Sequence, residues 1–300
     1  MSAHPPQSGD NGELREFLRT RRARLTPAEA GLAPSATVRR VPGLRREEVA
    51  QLAGVSVDYY VRLERGRQSN VSEAVLDSLA RALRLTDDER EHLYALARPS
   101  RTHRPRPLTP QRVRPAVYRI LDTLTEVPAL VIGRRTDVLA ANQLARALYV
   151  DFEALPRRER NMARFTFLDP RARSLYADWQ AVGRAAVAAL HLSAGRHPHD
   201  PQLAELVSEL SLRDTDFRRW WAEHDVRRRT YGAKHFHHPV VGDLRLDYEA
   251  LAVTGDDEQT LGIYTAEPES PSADALRLLA AWTAQPSLPG PPDTRASTPS

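Results

Sequence analysis

The sequence contains no cysteine, a single lysine and no long apolar run. The absence of cysteine excludes disulfide bonds, thiolate metal ligands and cysteine nucleophiles. No stretch of about 18 consecutive apolar residues is present, which excludes an ordinary membrane-spanning helix. The first residues also lack the basic and then apolar pattern of a secretory signal. These absences lead us to expect a cytoplasmic protein that has no membrane partner.

Positive charge is concentrated in the first third of the chain. Residues 1–110 carry 19 arginines against 14 acidic residues, whereas the remainder carries 24 basic against 25 acidic residues. Lys234 is the only lysine, so nearly all of the cations are arginines. A nucleic-acid-binding surface is therefore expected in the first third.

The 300 residues are sufficient for two domains, each with its own core. The segment 99–110 combines proline with arginine and is predicted to link a first domain at 12–98 to a second at 111–284. Residues 1–11 and 285–300 are polar and of low complexity, and they are predicted to be disordered.

Apolar periodicity predicts a mainly α fold in which only the second domain contains strands. The first domain is predicted to have five helices, at 14–25, 44–53, 57–65, 72–84 and 87–97. The helices predicted in the second domain lie at 112–125, 141–149, 158–167, 170–194, 201–211, 214–224 and 272–284. Its predicted strands lie at 129–133, 137–141, 234–238, 243–253 and 260–266. The apolar positions of the strand 243–253 change phase, which predicts a bulge at Glu249–Ala250.

A helix-turn-helix motif is predicted between Gly43 and Gly66. Gly54 fits a sharp turn with a positive φ, and Ser56 is a good N-cap for the helix that follows. The second helix would enter the major groove with its N-terminal end first. The alternative is an ordinary helical hairpin whose arginines only face solvent.

The exposed face of this second helix is predicted to contact DNA. Asp58 can accept a hydrogen bond from cytosine N4, Val57 can pack on a thymine methyl, and Arg62 can reach guanine or a phosphate. Arg45 and Arg46 are placed to hold a phosphate at the start of the preceding helix. The predicted DNA-contacting residues are Arg45, Arg46, Ser56, Val57, Asp58, Tyr59, Arg62 and Arg65.

Residues 43–66 resemble the repressor-like, xenobiotic-response-element class of helix-turn-helix proteins. That class usually has glutamine at the position of Arg46, and glutamine or serine where this chain has Val57 and Asp58. The resemblance therefore implies a phosphate-clamping role at the position of Arg46 but no particular target sequence.

Motifs across the second domain resemble those of the MmyB-like transcription regulators. They include DVLAAN (137–142), FLDP (167–170), GRHPHDP (195–201), FRRW (217–220) and HPVVGDL (238–244). The resemblance extends over about 12–282 and implies a repressor-like first domain followed by a PAS-like α+β domain with a small antiparallel sheet. It also implies a pocket for a small hydrophobic ligand such as a fatty acid. Ala141 stands where the family often has tryptophan.

The ligand pocket is predicted to be lined by aromatic side chains and a few polar groups. An acyl carboxylate would need a cation, which Arg160 or Arg227 can supply. The alternatives are that the aromatic residues form plain core and that the two arginines pair with nearby aspartates. The predicted ligand-binding residues are Asn142, Arg160, Asn161, Phe165, Tyr176, Trp179, Phe217, Trp221, His224 and Arg227.

Neither a metal site nor a catalytic site is predicted. His235, His237 and His238 do not have the H-E-x-x-H spacing, and the sequence has no P-loop, G-x-G-x-x-G or G-x-S-x-G motif. We therefore expect no enzymatic activity and no cofactor other than a bound fatty acid or similar small hydrophobic ligand. The expected partners are double-stranded DNA and a second copy of the chain, because one such module rarely contacts enough DNA.

Two alternatives remain at this stage. The first is an enzyme that carries a DNA-binding domain. The second is a regulator whose C-terminal domain serves only for dimerisation or for binding a protein partner.

Overall fold

The computed structural model describes residues 12–32, 43–67, 71–97, 110–224, 230–256 and 258–284. The two segments that are predicted to be disordered, 1–11 and 285–300, lie outside the described residues, as do residues 99–109 of the predicted linker. Within the described ranges, no helix is long and apolar enough to cross a membrane.

The first domain is a bundle of the five predicted helices. They are α1 (Gly12–Arg24), α2 (Arg46–Ala53), α3 (Val57–Glu64), α4 (Glu73–Ala82) and α5 (Asp87–Ala97). Each helix buries apolar side chains at helical spacing in one common core. The core includes Leu14, Phe17, Leu18, Leu44, Val49, Tyr60, Leu63, Leu76, Leu79 and Leu93.

The second domain is built on one antiparallel sheet of five strands. The strands are β1 (Ala129–Ile132), β2 (Val138–Ala141), β3 (Tyr231–His238), β4 (Gly242–Ala252) and β5 (Thr260–Thr265). Their order in the sheet is β2-β1-β5-β4-β3, and all neighbouring pairs are antiparallel. The helices are α6 (Pro115–Thr123), α7 (Gln143–Leu148), α8 (Met162–Leu168), α9 (Pro170–Leu175), α10 (Trp179–Arg196), α11 (Pro201–Arg213), α12 (Thr215–Glu223) and α13 (Pro271–Ala284). The prediction of a mainly α protein with an α+β second domain is confirmed.

Both faces of the sheet are covered, but by different helices. One face carries Leu130, Phe236 and Leu246 and packs into the main core together with α8, α10, α11 and α12. The opposite face carries Val131 and packs against Val117 and Leu121 of α6. Apolar residues therefore belong on both faces of the central strands.

The bulge predicted at Glu249–Ala250 is absent, and that prediction is wrong. The ladder between β4 and β5 continues without interruption, pairing Glu249 with Ile263 and Ala250 with Gly262. The apolar phase changes because Val253 packs in the small core under α6, on the other face of the sheet. A change of covered face, and not an extra residue, explains the pattern.

The helix predicted at 170–194 is two helices, α9 and α10, with a break at Tyr176–Asp178. Tyr176 forms an isolated antiparallel bridge with Phe236, and the backbone N–H of Ala177 donates to the carbonyl of His235 at 3.1 Å. The side chain of Asp178 then accepts from the N–H of Ala181 at 2.9 Å and caps α10. The chain leaves the helical path here because it pairs with an edge strand.

The two domains contact each other through α5 and α10. At Gly195 of α10 the His92 ring lies where a Cβ would stand, 2.7 Å from that position. Arg196 pairs with Glu91 of α5 at 2.9 Å, and Arg21 of α1 donates to the carbonyl of His224 at the end of α12. The second domain, which follows the predicted Pro/Arg linker, is therefore positioned against the first domain by direct packing between helices.

Candidate DNA-binding surface and ligand cavity

The turn between α2 and α3 has the geometry of a helix-turn-helix. Gly54 ends α2 with φ +67°, a conformation that costs energy for a residue with a Cβ. Its N–H bonds back to the carbonyls of Ala50 and Gln51. The hydroxyl of Ser56 accepts from the backbone N–H of Tyr59 at 3.2 Å and caps α3. The turn is thus stabilised by Gly54 and Ser56, the two residues that the sequence indicated.

The face of α3 that was predicted to contact DNA is exposed. Val57 keeps 44% of its surface accessible. Ser56, Asp58, Arg62 and Arg65 are exposed as well, and Tyr59 is half-buried. Among the described residues, no hydrogen bond or ion pair engages the side chains of Asp58, Arg62 and Arg65. This surface is free to meet the edges of base pairs in a major groove.

The arginines at the start of α2, unlike those of α3, form ion pairs within the described part of the protein. Arg46, whose side chain is 45% exposed, forms an ion pair with Glu64 at the end of α3. Glu64 is 2% exposed and also binds Nε of Arg22 at 2.6 Å. The hydrogen bond with Glu64 raises the pKa of Arg46 above its usual range. Arg46 therefore helps to hold α2 and α3 together, in addition to the phosphate contact that was predicted for it.

Arg45 has a backbone role at the same helix start. Its N–H donates to the carboxylate of Glu48 at 2.7 Å, and its guanidinium lies 3.9 Å from the carboxylate of Glu47. Its half-buried side chain stands beside the N-terminus of α2. The backbone N–H groups at such a terminus favour a phosphate.

A cavity of about 890 Å³ lies between α10 and the sheet of the second domain. This volume is in the range of about 300–1,000 Å³ that is typical of sites for small molecules. Along α10 the lining residues recur at helical spacing and are mostly small: Ala181, Val182, Ala185, Ala186, Ala189 and Leu192. The sheet contributes one face of its strands, including Leu130, Ile132, Ala250 and Gly262. The cavity exists because α10 presents short side chains where it crosses the sheet.

The cavity wall carries one cation that has no carboxylate partner among the described residues. The ammonium of Lys234 donates to the hydroxyl of Tyr264 at 3.0 Å and lies 4.8 Å from the ring centre of Tyr248. Arg134, which also lines the cavity, is paired with Glu258 at 2.6 Å. Among the described lining residues, Lys234 is thus the cation that remains available to an anionic group.

Of the residues predicted to bind ligand, Tyr176 lines this cavity. Burial raises the pKa of its phenol well above the usual range, so the hydroxyl stays protonated. Arg227 lies outside the described residues. The structure places the other eight predicted residues away from the cavity.

The predicted polar residues have structural roles. The side chain of Asn142 caps α7 and is tied to four backbone groups, including the N–H of Ala129 at 3.0 Å and the carbonyl of Leu124 at 2.6 Å. Asn161 is fully buried and caps α8. Arg160 donates to the carbonyls of Leu155 and Glu153. These side chains hold loops together. A structural role of this kind was the alternative left open for the arginines.

The other predicted aromatic residues pack in or against the main core, which is the alternative that was left open for them. Phe165 packs against Tyr149, and Trp179 donates to the carbonyl of Thr166 at 2.8 Å. Phe217 and Trp221 stack on each other at 5.7 Å between ring centres. His224 lies at the junction with the first domain, 3.7 Å from Glu13. Aromatic spacing in the sequence indicated helical faces but not which face borders the cavity.

Two signals in the sequence relate to this cavity. The alanines of α10 repeat every three or four residues, which leaves a groove along one helix face. Lys234 is the only lysine and lies within a predicted strand. Neither signal specifies the partner surface, since the sheet residues that close the cavity are far away in the sequence.

Two family models match the chain. The model of the MmyB-like transcription regulator ligand binding domain matches residues 113–279, which is more than half of the chain. A helix-turn-helix domain model matches residues 13–93. The chain belongs to the MmyB-like transcription regulators. No curated protein matches it at a significant level.

As an MmyB-like regulator, the protein combines a DNA-binding helix-turn-helix domain with a domain that binds a small-molecule ligand. The resemblance inferred from the sequence motifs is therefore confirmed. In this MmyB-like regulator the cavity beneath α10 lies inside the matched ligand-binding region, and α3 lies inside the matched helix-turn-helix region.

Proposed function

We propose that this regulator senses a long-chain carboxylic acid of the fatty-acid type and binds a two-part DNA site as a homodimer. The observation that carries the ligand class is Lys234, a cation without a carboxylate partner among the described residues, on the wall of an otherwise mostly apolar cavity. A carboxylate at this point would gain a charge-assisted hydrogen bond, while its chain would bury apolar surface along α10.

The shape of the cavity supports an elongated ligand. The small residues of α10 recur over several turns, from Ala181 to Ala189, and face the strands along the same line. The hydroxyl of Tyr264, which already bonds Lys234, can hold the second carboxylate oxygen. A polar head with an extended apolar groove favours an acyl chain over a compact polar metabolite.

We also propose that the protein has no enzymatic activity. Glu258 and His197, the titratable pair at one end of the cavity, are bound to each other, and Glu258 is also bound to Arg134. A carboxylate shared between two such partners is typical of a structural ion-pair network, so we assign these groups to the fold.

Ligand and DNA are proposed to be coupled through α10. Leu192, Ser193 and Arg196 line the cavity, while Gly195 between them packs against His92 of the first domain. A ligand that moves α10 therefore changes the position of the DNA-binding domain. Any such coupling is reciprocal, so DNA must change ligand affinity by the same factor.

The homodimer is proposed because one α3 reads only a few base pairs. Leu278 and Trp282 lie one turn apart on α13 and are 64% and 54% exposed. A second copy of the chain would cover them. The two α3 helices would then contact half-sites about one helical turn, or a multiple of it, apart.

The ligand proposal is tested with a long-chain fatty acid and its methyl ester, which differ only in the charged head. We expect the wild-type protein to bind the acid at least about tenfold more tightly than the ester, and Lys234→Met to remove this preference. His237→Gln, on the same strand but exposed, is the control. Equal affinity of the wild type for both compounds would contradict the proposed role of Lys234. Failure to bind either would favour a C-terminal domain that only dimerises or binds a protein partner.

The DNA proposal is tested by selecting genomic fragments with the purified chain and measuring their release by the fatty acid. We expect protected half-sites related by two-fold symmetry and a dimer by light scattering in the presence of DNA. A single asymmetric half-site bound by a monomer would contradict the dimer.

A further inference from the structure

Three potential metal ligands meet at the junction of the two domains. Glu13 comes from the first turn of α1, His191 from the middle of α10, and His224 from the end of α12. One ligand atom from each lies within 4.8 Å of the others. Nε2 of His224 is 3.7 Å from Oε2 of Glu13, and the two imidazole rings are 4.7 Å apart between centres.

The tautomer of His191 leaves a lone pair directed into this junction. Its Nε2 lies 3.0 Å from the carbonyl of Trp221, and since a carbonyl only accepts, Nε2 must carry the proton. Nδ1 of the neutral ring is then an acceptor. It is buried and has no hydrogen-bond partner within the described part of the chain.

His224 and Glu13 also direct a ligand atom into this junction. Nδ1 of His224 lies 3.3 Å from the carbonyl of Ala222, which leaves Nε2 directed towards Glu13. His224 is 6% exposed and adopts a left-handed backbone conformation that turns its ring to the junction. The buried Oε2 of Glu13 has no hydrogen-bond partner among the described residues. Unpaired buried polar atoms are costly, so two at one place require an explanation.

We propose that Glu13, His191 and His224 form a binding site for a divalent transition metal of the zinc class. Two imidazoles and one carboxylate are a ligand set that Zn²⁺ accepts, with the fourth position left to water. Ring nitrogens that donate to carbonyls on their far side are the usual support of metal-bound histidines. A tetrahedral site with bonds of about 2.0–2.1 Å needs ligand atoms about 3.4 Å apart, so the three groups must close by at most about 1.4 Å.

The local charge is compatible with a bound cation. Among the described residues, Arg21 is a cation close to the site, and it donates to the carbonyl of His224. Arg21 is itself neutralised by the buried Glu89 at 2.7 Å. The carboxylate of Glu13 then remains to balance the metal charge.

The site joins two domains, because Glu13 belongs to the helix-turn-helix domain and both histidines belong to the ligand-binding domain. A metal bound by all three would fix α1 against α10 and α12. This function goes beyond ligand sensing and does not depend on which molecule fills the cavity. The sequence did not predict the site because its three ligands come from separate, distant helices.

The test is Zn²⁺ titration of the full chain after treatment with a chelator, followed by calorimetry, with Co²⁺ absorption as a reporter of tetrahedral coordination. We expect one Zn²⁺ per chain, at least about tenfold weaker binding for Glu13→Gln and His191→Gln, and a metal-dependent rise in Tm that both variants lose. His237→Gln is the matched control, since His237 pairs with Asp243 on the exposed part of a strand.

Circular dichroism checks that the variants fold, and Glu13→Gln changes one half-exposed group on the first turn of a helix. A wild-type chain that binds no Zn²⁺ would overturn the proposal. So would a Zn²⁺ affinity that is unchanged in folded Glu13→Gln and His191→Gln, or one that is lost in His237→Gln.

Discussion

The two functional surfaces of this protein are built in opposite ways. The DNA-binding surface is contained in one short stretch, where Gly54, Ser56 and α3 follow one another along the chain. The ligand cavity draws on α10 and on strands from both ends of the second domain. A local surface can be recognised from residue order, whereas a cavity depends on which distant elements pack together.

The largest expected effect tests whether the DNA-binding surface is held by its buried ion pairs. Glu64→Ala leaves Arg22 and Arg46 without their carboxylate, and we expect a loss of about 3–5 kcal/mol in the free energy of unfolding. Urea unfolding measures it, with the exposed Glu47→Ala of α2 as control. A loss below about 1 kcal/mol would show that the two pairs add little to the helix-turn-helix.

The second effect tests whether Asn142 belongs to the scaffold or to the cavity. Asn142→Ala leaves several buried backbone groups unpaired, and we expect a loss of about 2–3 kcal/mol in the free energy of unfolding. The affinity of the folded protein for a fatty acid should stay within a factor of about two. A selective loss of ligand affinity with an unchanged free energy of unfolding would show that Asn142 belongs to the ligand site.

The third effect tests the cavity itself. Ala186→Phe places a ring between α10 and the sheet, and we expect about 30-fold weaker fatty-acid binding, or about 2 kcal/mol. DNA binding without ligand should persist because α3 is untouched. Arg184→Ala, on the exposed side of α10, is the control. Unchanged ligand affinity in Ala186→Phe would place the ligand elsewhere.

The smallest effect concerns the division of labour on the DNA-binding surface. We expect Asp58→Ala to relax the preference at one base pair by about tenfold. Arg62→Ala, if Arg62 meets a phosphate, should weaken binding to all sequences and reduce the salt dependence by about one phosphate contact. Fluorescence anisotropy at several salt concentrations separates the two outcomes. A uniform loss in both variants would contradict the assignment of Asp58 to a base.

The same contrast explains what could be predicted from the sequence. The five helices of the first domain, the turn at Gly54 and the cap at Ser56 depend on neighbours within a few residues, and all of them are present. The break at Tyr176–Asp178 depends on pairing with β3, and the phase change near Val253 depends on α6. Neither partner is visible from local periodicity, so both details were predicted wrongly.

The candidate site shows the same limit. Asn142 and Asn161 were predicted to bind ligand, and their hydrogen bonds include nearby backbone groups that make them caps of α7 and α8. The alanines of α10 leave room for a ligand only because the sheet lies opposite them. Composition and spacing indicate which residues are unusual, and the tertiary fold decides what they are used for.

The shared helix α10 has a consequence for how such regulators can diversify. Its 18 residues span about 27 Å, so one continuous rod borders the cavity and also meets the first domain at Gly195. A different DNA-binding domain that presents the same α5 surface would inherit the proposed coupling without any change in the ligand-binding domain.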